Sequence, residues 1–126
     1  MYTGIDIIEV KRIEKVFLSH KGFVRRVFTE DEVKYCQSKK NCFQHYAARF
    51  ASKEAVLKAF GTGLRERMKW TDVETLNEES GKPYINLYGR VKELAIEKNI
   101  CEISISLSHC KEYAVAHALL VTRADS

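Results

Sequence analysis

The apolar and polar positions of this chain change period several times, and each change marks an element. Residues 2–10 alternate, with Ile5 and Ile7 on one side and Asp6, Ile8 and Val10 on the other; β-branched residues dominate, and the pattern predicts a strand. A helix over about 10–19 should follow directly. Thr29-Glu30-Asp31-Glu32 has the form of a capping box, with Thr29 as N-cap and Glu32 reaching back, and it starts a short helix to about Lys39. Residues 43–60 repeat at the helical period and stop at Gly61, a suitable C-cap; Gly61-Thr62-Gly63 then forms a flexible loop. Residues 70–76 read as a strand, 77–82 as a turn, and 83–88 as a strand that opens at a proline, where a strand tolerates one. Residues 89–99 are helical, with Val91, Leu94 and Ala95 on one side, and 100–108 with 112–122 alternate as a final hairpin. The expected fold is α+β, a mostly antiparallel sheet packed with one long and several short helices.

Two acids break the apolar pattern. Glu54 falls in the middle of the stripe formed by Phe43, Ala47, Phe50 and Leu57, and an ionised carboxylate there is costly unless compensated. Two readings stay open: it reaches the edge of the stripe and pairs with Lys53 or Lys58, or it holds a metal or has a shifted pKa. Asp6 is in phase with Ile8 and Val10 and is a second acid among apolar neighbours. Carboxylates from two elements suit a hard cation such as magnesium, completed by water and substrate phosphates. His109 ends the strand face of Ile103, Ile105 and Leu107 and is a third candidate, against the plainer reading of a core-edge histidine. His117, in phase with Val115 and Leu119, takes that plainer reading. Lys58 lies one turn after Glu54, and Arg49 and Lys53 flank it, a set suited to a phosphorylated ligand.

Composition narrows the classes. The 126 residues make a single domain, 45% apolar and 30% charged, ordinary globular values. No apolar run is long enough to cross a bilayer and no secretory leader is visible, so a cytoplasmic protein is expected. Cys36, Cys42, Cys101 and Cys110 form no C-x-x-C pair and are expected as reduced thiols. The net charge is +4, with basic clusters at Lys11, Arg12 and Lys15, at Lys21, Arg25 and Arg26, and at Lys34, Lys39 and Lys40. Such clusters meet nucleic acid, a phosphorylated small molecule or an acidic protein, or are a solvated face. No strand–turn–helix places a Ser or Cys nucleophile, and the glycine loop lacks the Walker A pattern.

Together the motifs resemble a known family. Gly4-Ile5-Asp6-Ile7-Ile8-Glu9-Val10-Lys11-Arg12-Ile13 is similar to the first motif of the holo-acyl-carrier-protein synthases, the short 4′-phosphopantetheinyl transferases. Phe28-Thr29 with Glu32 resembles their second element. Arg49-Phe50-Ala51-Ser52-Lys53-Glu54-Ala55, running on to Lys58-Ala59-Phe60-Gly61-Thr62-Gly63, resembles their signature helix. Gly81-Lys82-Pro83-Tyr84 and Ser106-Leu107-Ser108-His109 with Tyr113-Ala114 complete the set, in family order from residue 4 to about residue 118.

The resemblance implies transfer of the 4′-phosphopantetheine arm of coenzyme A to a serine of an apo acyl carrier protein, releasing adenosine 3′,5′-bisphosphate, in fatty acid biosynthesis. It implies Asp6 and Glu54 as magnesium ligands, with Glu54 also a candidate to take the serine proton, and Lys58 as the stabiliser of the pyrophosphate. Arg49, Gly61, Gly63, Gly81, Lys82, Pro83 and His109 are implied to bind coenzyme A. The acidic carrier protein gives the basic residues Arg12, Lys15, Arg25 and Arg26 a partner to steer. The short members are homotrimers with sites between subunits. The rival from another class is a basic nucleic-acid- or protein-binding module; no RNP-like aromatic strand supports it, and binding alone would not require Asp6 or Glu54 on apolar faces.

Overall fold

The computed structural model describes residues 1–65 and 67–125. Strand β1 (Tyr2–Glu9) runs directly into α1 (Val10–Ser19), and α2 (Phe23–Val27), α3 (Glu30–Gln37) and the long α4 (Cys42–Phe60) follow. A 3₁₀ turn (Trp70–Asp72) leads into the hairpin β2 (Val73–Asn77) and β3 (Pro83–Leu87), then α5 (Gly89–Glu97), β4 (Ile100–His109), β5 (Tyr113–Thr122) and a terminal 3₁₀ turn (Arg123–Asp125). The strands make two antiparallel sheets, one ordered β1-β5-β4 and one pairing β2 with β3.

The expected elements form, with three differences. Trp70–Asp72 is a turn and not the start of a strand, because the Asp72 carboxylate accepts the Lys69 N–H at 3.1 Å and curls the chain back. The five residues of α2 are too few to show a period, so the sequence pattern passed over them. His117 does not lie at the core edge: it sits opposite Ile5 and Ser106 on the outer, exposed face of the three-stranded sheet.

Helix α4 crosses the middle of the molecule and packs on β1 and β5. Ala47, Ala48, Ala51, Ala55 and Ala59 on the helix, with Ala114, Ala116 and Ala118 on β5, are all buried, and small side chains let helix and sheet approach closely. Helix and strand touch backbone to backbone at Gly4, where a Cβ would lie 2.0 Å from the Ala55 carbonyl oxygen and 2.6 Å from the Ala59 nitrogen. Glycine is needed there for space. Two residues further along β1, Asp6 is thereby held against the helix that carries Glu54.

The rotation of α4 about its axis is set by Lys53. Its ammonium is fully buried, donating to Glu32 Oε1 at 2.7 Å, to Trp70 O at 3.2 Å and to the Val73 carbonyl. Glu32 also accepts the Thr29 N–H at 2.9 Å, closing the capping box, and the Thr75 N–H at 2.9 Å. One ion pair thus ties together α3, α4, the 3₁₀ turn and β2. Burial pulls the Lys53 pKa below its ordinary value against the pull of Glu32. The pair therefore specifies the packing more than it adds net stability.

Two outcomes follow. Lys53→Met should cost about 3–5 kcal/mol by stranding Glu32, whereas Lys53→Met with Glu32→Gln should cost less than the sum of the single changes in a urea-unfolding cycle. Gly4→Ala should lower stability by about 2–3 kcal/mol, as insertion into a filled contact does, seen as a lower urea midpoint at unchanged slope.

Candidate active site

Asp6 from β1 and Glu54 and Lys58 from α4 line one cleft of about 280 Å³, with Arg12 of α1 at its side and Ile8 and Phe50 among its apolar walls. Asp6 faces inward because it alternates with the exposed Ile5 and Ile7 and shares a face with the buried Ile8. Lys58, one helical turn beyond Glu54, places its Nζ 2.9 Å from Asp6 Oδ1 and 3.2 Å from the Ile5 carbonyl oxygen. That hydrogen bond holds the Lys58 pKa above its ordinary value.

Neither partner foreseen for Glu54 takes it. Lys53 turns away to Glu32 and Lys58 bonds to Asp6, so Glu54 makes no hydrogen bond or ion pair among the described residues. Burial and then the Asp6 carboxylate raise its pKa, while Lys58 and Arg12 oppose them. An acid made more basic and left without a partner is poised to accept a proton or a cation.

The donor set suits a hard divalent cation. Two carboxylates face one cleft, and the Lys58 ammonium already stands as a cation on one of them. Among the described residues no third His, Cys, Asp or Glu joins them to complete a cage. A cation held by two acids takes its remaining oxygens from water and a bound ligand, the magnesium pattern.

Arg49 and His109 do not join this cleft. They line a second one of about 220 Å³, together with Gly81, Pro83, Tyr35, His45 and Asn77. Arg49 precedes Glu54 by five residues, which turns it about 140° round the helix. Its guanidinium is buried, lies 4.0 Å over the Tyr35 ring and donates to Asn77 Oδ1, while its buried Nε has no hydrogen-bond partner among the described residues. The His109 Nδ1 is 2.9 Å from Gln44 Oε1, and its ring meets His45 edge-on with centroids 4.8 Å apart. Burial and Arg49 lower the pKa of His109, and burial, His109, Arg49 and Lys39 bring His45 down to about 4. At neutral pH the described lining of this cleft therefore presents the Arg49 guanidinium beside two neutral imidazoles. An anion fits such a surface.

The other expected residues are more peripheral. Gly61 caps α4 in the left-handed region, one turn past Lys58, and Gly63 follows at φ 63°; neither lines the two clefts. Lys82 is exposed in the β2–β3 turn beside Gly81. Arg12, Lys15, Arg25 and Arg26 are all exposed, Arg12 at the acidic cleft and Arg25 at a separate, larger groove of about 810 Å³. Tyr35, His45 and Asn77 were not singled out from the sequence. His45 lies one turn before Arg49, and that i, i+4 spacing was a usable signal; for Asn77 there was none.

The chain matches the model of the 4′-phosphopantetheinyl transferase superfamily over residues 2–118. It is 47% identical over 122 residues to a holo-[acyl-carrier-protein] synthase of Ruminiclostridium cellulolyticum, covering 95% of this chain and 91% of that protein. A holo-[acyl-carrier-protein] synthase of Geobacter sulfurreducens is 47% identical over 121 residues, 94% of each chain. Among solved structures, a holo-(acyl-carrier-protein) synthase of Bacillus anthracis in complex with CoA (3′,5′-ADP) aligns at TM-score 0.79 and 35% identity, covering 96% of both chains. The Helicobacter pylori holo-[acyl-carrier-protein] synthase in complex with coenzyme A aligns at TM-score 0.82 and 31% identity, over 94% of this chain and 99% of that one. With its acidic cleft on the signature helix and these matches along nearly its whole length, the chain belongs to the 4′-phosphopantetheinyl transferase superfamily.

Proposed function

We propose that this chain, acting as a single domain, transfers the 4′-phosphopantetheine group of coenzyme A to a serine of an apo acyl carrier protein, giving the holo carrier and adenosine 3′,5′-bisphosphate. The observation that carries the reading is the meeting of Asp6, Glu54 and Lys58 in one cleft, on a chain whose relatives are holo-acyl-carrier-protein synthases. The serine oxygen forms the new P–O bond, the pyrophosphate P–O bond breaks, and the departing 5′-phosphate oxygen keeps the electron pair. Glu54 takes the serine proton, as the carboxylate of the cleft that makes no hydrogen bond or ion pair among the described residues. Asp6 and Glu54 would hold magnesium, whose charge would offset that of the pyrophosphate. Lys58 adds a positive charge where the leaving phosphate develops a negative one.

Arg49 and His109, with the Gly81-Lys82-Pro83 turn, hold the nucleotide end. Gly61 and Gly63 let the loop beyond Lys58 pass close to the ligand. Because Arg49 and Glu54 point to different sides of α4, one coenzyme A molecule spans the acidic cleft of one subunit and the arginine cleft of a neighbour. The subunits form a homotrimer, and the outer sheet face, where Ile5 is 61% and Ile7 66% exposed, supplies apolar surface to bury between them. Arg12, Lys15, Arg25 and Arg26 steer the acidic carrier protein to the cleft. No helix of the described residues is long and apolar enough to cross a membrane, and the four cysteines are free thiols; we place the reaction in the cytoplasm.

The direct test is mass spectrometry of an apo acyl carrier protein incubated with this chain, coenzyme A and magnesium. A gain of about one phosphopantetheine (~340 Da), lost with EDTA and lost in Glu54→Gln at unchanged folding, is expected. Full activity of Glu54→Gln would remove the metal and base assignments together. The shared site is tested by mixing inactive Glu54→Gln and Arg49→Ala subunits, with His109→Ala as the alternative should Arg49→Ala fail to fold. About a quarter of the sites in a random mixture would be intact and activity should return to that level; a site contained in one subunit gives no recovery.

A further inference from the structure

Lys58 is bonded to the same acid that the metal reading assigns as a donor. Its ammonium lies 2.9 Å from Asp6 Oδ1 and 3.2 Å from Ile5 O, while Glu54 on the same helix makes no bond. The Lys58 side chain is 52% exposed and that of Asp6 only 15%, so the lysine, not the acid, is the member free to move. A divalent cation at a normal oxygen distance from Asp6 would stand about 4 Å from an ammonium left in place. Even with the screening of water, that repulsion weakens cation binding roughly tenfold or more.

We propose that Lys58 is an exchangeable cation: it rests on Asp6 and the Ile5 carbonyl, and a divalent cation entering at Asp6 displaces it toward the phosphates of a ligand in the same cleft. The identity of that ligand rests on the proposed function; the exchange itself involves only Lys58, Asp6 and the cation. By linkage, a ligand anion that draws Lys58 off Asp6 tightens the cation, and the cation tightens the ligand. The acidic cleft thus binds a divalent cation weakly when no anion is present and strongly when one is. Arg12 provides the contrast, since it lines the same cleft with the same charge but makes no bond to Asp6.

The test is the Mn²⁺ affinity of the ligand-free chain, read as free Mn²⁺ by electron paramagnetic resonance at fixed ionic strength. Lys58→Met should tighten Mn²⁺ about tenfold, Lys58→Arg should stay near the parent, and Arg12→Met should tighten it no more than about twofold, the screened effect of an exposed charge that bonds neither acid. Thermal melts of the same samples confirm folding. Unchanged or weaker binding in Lys58→Met overturns the exchange, as does equal tightening by Arg12→Met, which would reduce the effect to general charge. Absence of Mn²⁺ binding in every variant overturns it together with the metal reading of Asp6 and Glu54. Neither coenzyme A nor carrier protein enters this measurement, so its failure and failure of the transfer reaction are read separately.

Discussion

The buried pair of Lys53 and Glu32 is the constraint on which the arrangement of this molecule depends. Glu32 receives an ammonium and two backbone N–H groups, and Lys53 reaches two backbone carbonyls besides the carboxylate. A charge taken so far from water tolerates little misplacement, because every lost contact leaves an ion uncompensated. The rotation of α4 is therefore tightly set. Lys53 and Glu54 are adjacent, so turning one inward to α3 and β2 points the other about 100° further round the helix, into the cleft beside β1. Glu54 owes its direction to the buried Lys53.

A second constraint, purely steric, completes the acidic cleft. Gly4 lets β1 lie against the backbone of α4, and the absent Cβ is what brings Asp6 to Lys58 and Glu54. Burial and the Asp6 charge raise the Glu54 pKa, whereas Lys58 offsets the Asp6 charge directly. The cleft therefore holds two acids in different states of compensation. Of the two, Asp6 already meets a cation in Lys58, and Glu54 is left open to one.

The two clefts carry complementary chemistry on opposite flanks of one helix. The first offers carboxylates and a movable lysine, the second a buried arginine beside two neutral histidines. A ligand with a pyrophosphate at one place and a further phosphate at another would use both kinds of surface. Their separation round α4 leads to the reading of a site shared between subunits, and the exposed Ile5 and Ile7 on the outer sheet face agree with it.

Much of this was legible in the order of residues. The alternation of residues 2–10 placed Asp6 opposite Ile5 and Ile7; Thr29 and Glu32 announced their capping box; and Gly61 ends α4 as a left-handed cap. Such features depend on neighbours within a turn or a strand repeat, where local geometry is nearly determined. The sequence also marked Glu54 as an acid out of place, without saying which lysine it would meet. Only the tertiary structure decided that it meets neither, that Lys53 belongs to Glu32 and Lys58 to Asp6, and that Arg49 and His109 gather His45, Tyr35 and Asn77 into a separate cleft. Those pairings join residues 21, 52 and 28 positions apart in the chain. They are settled by competition for buried partners, and no local period records the outcome of that competition.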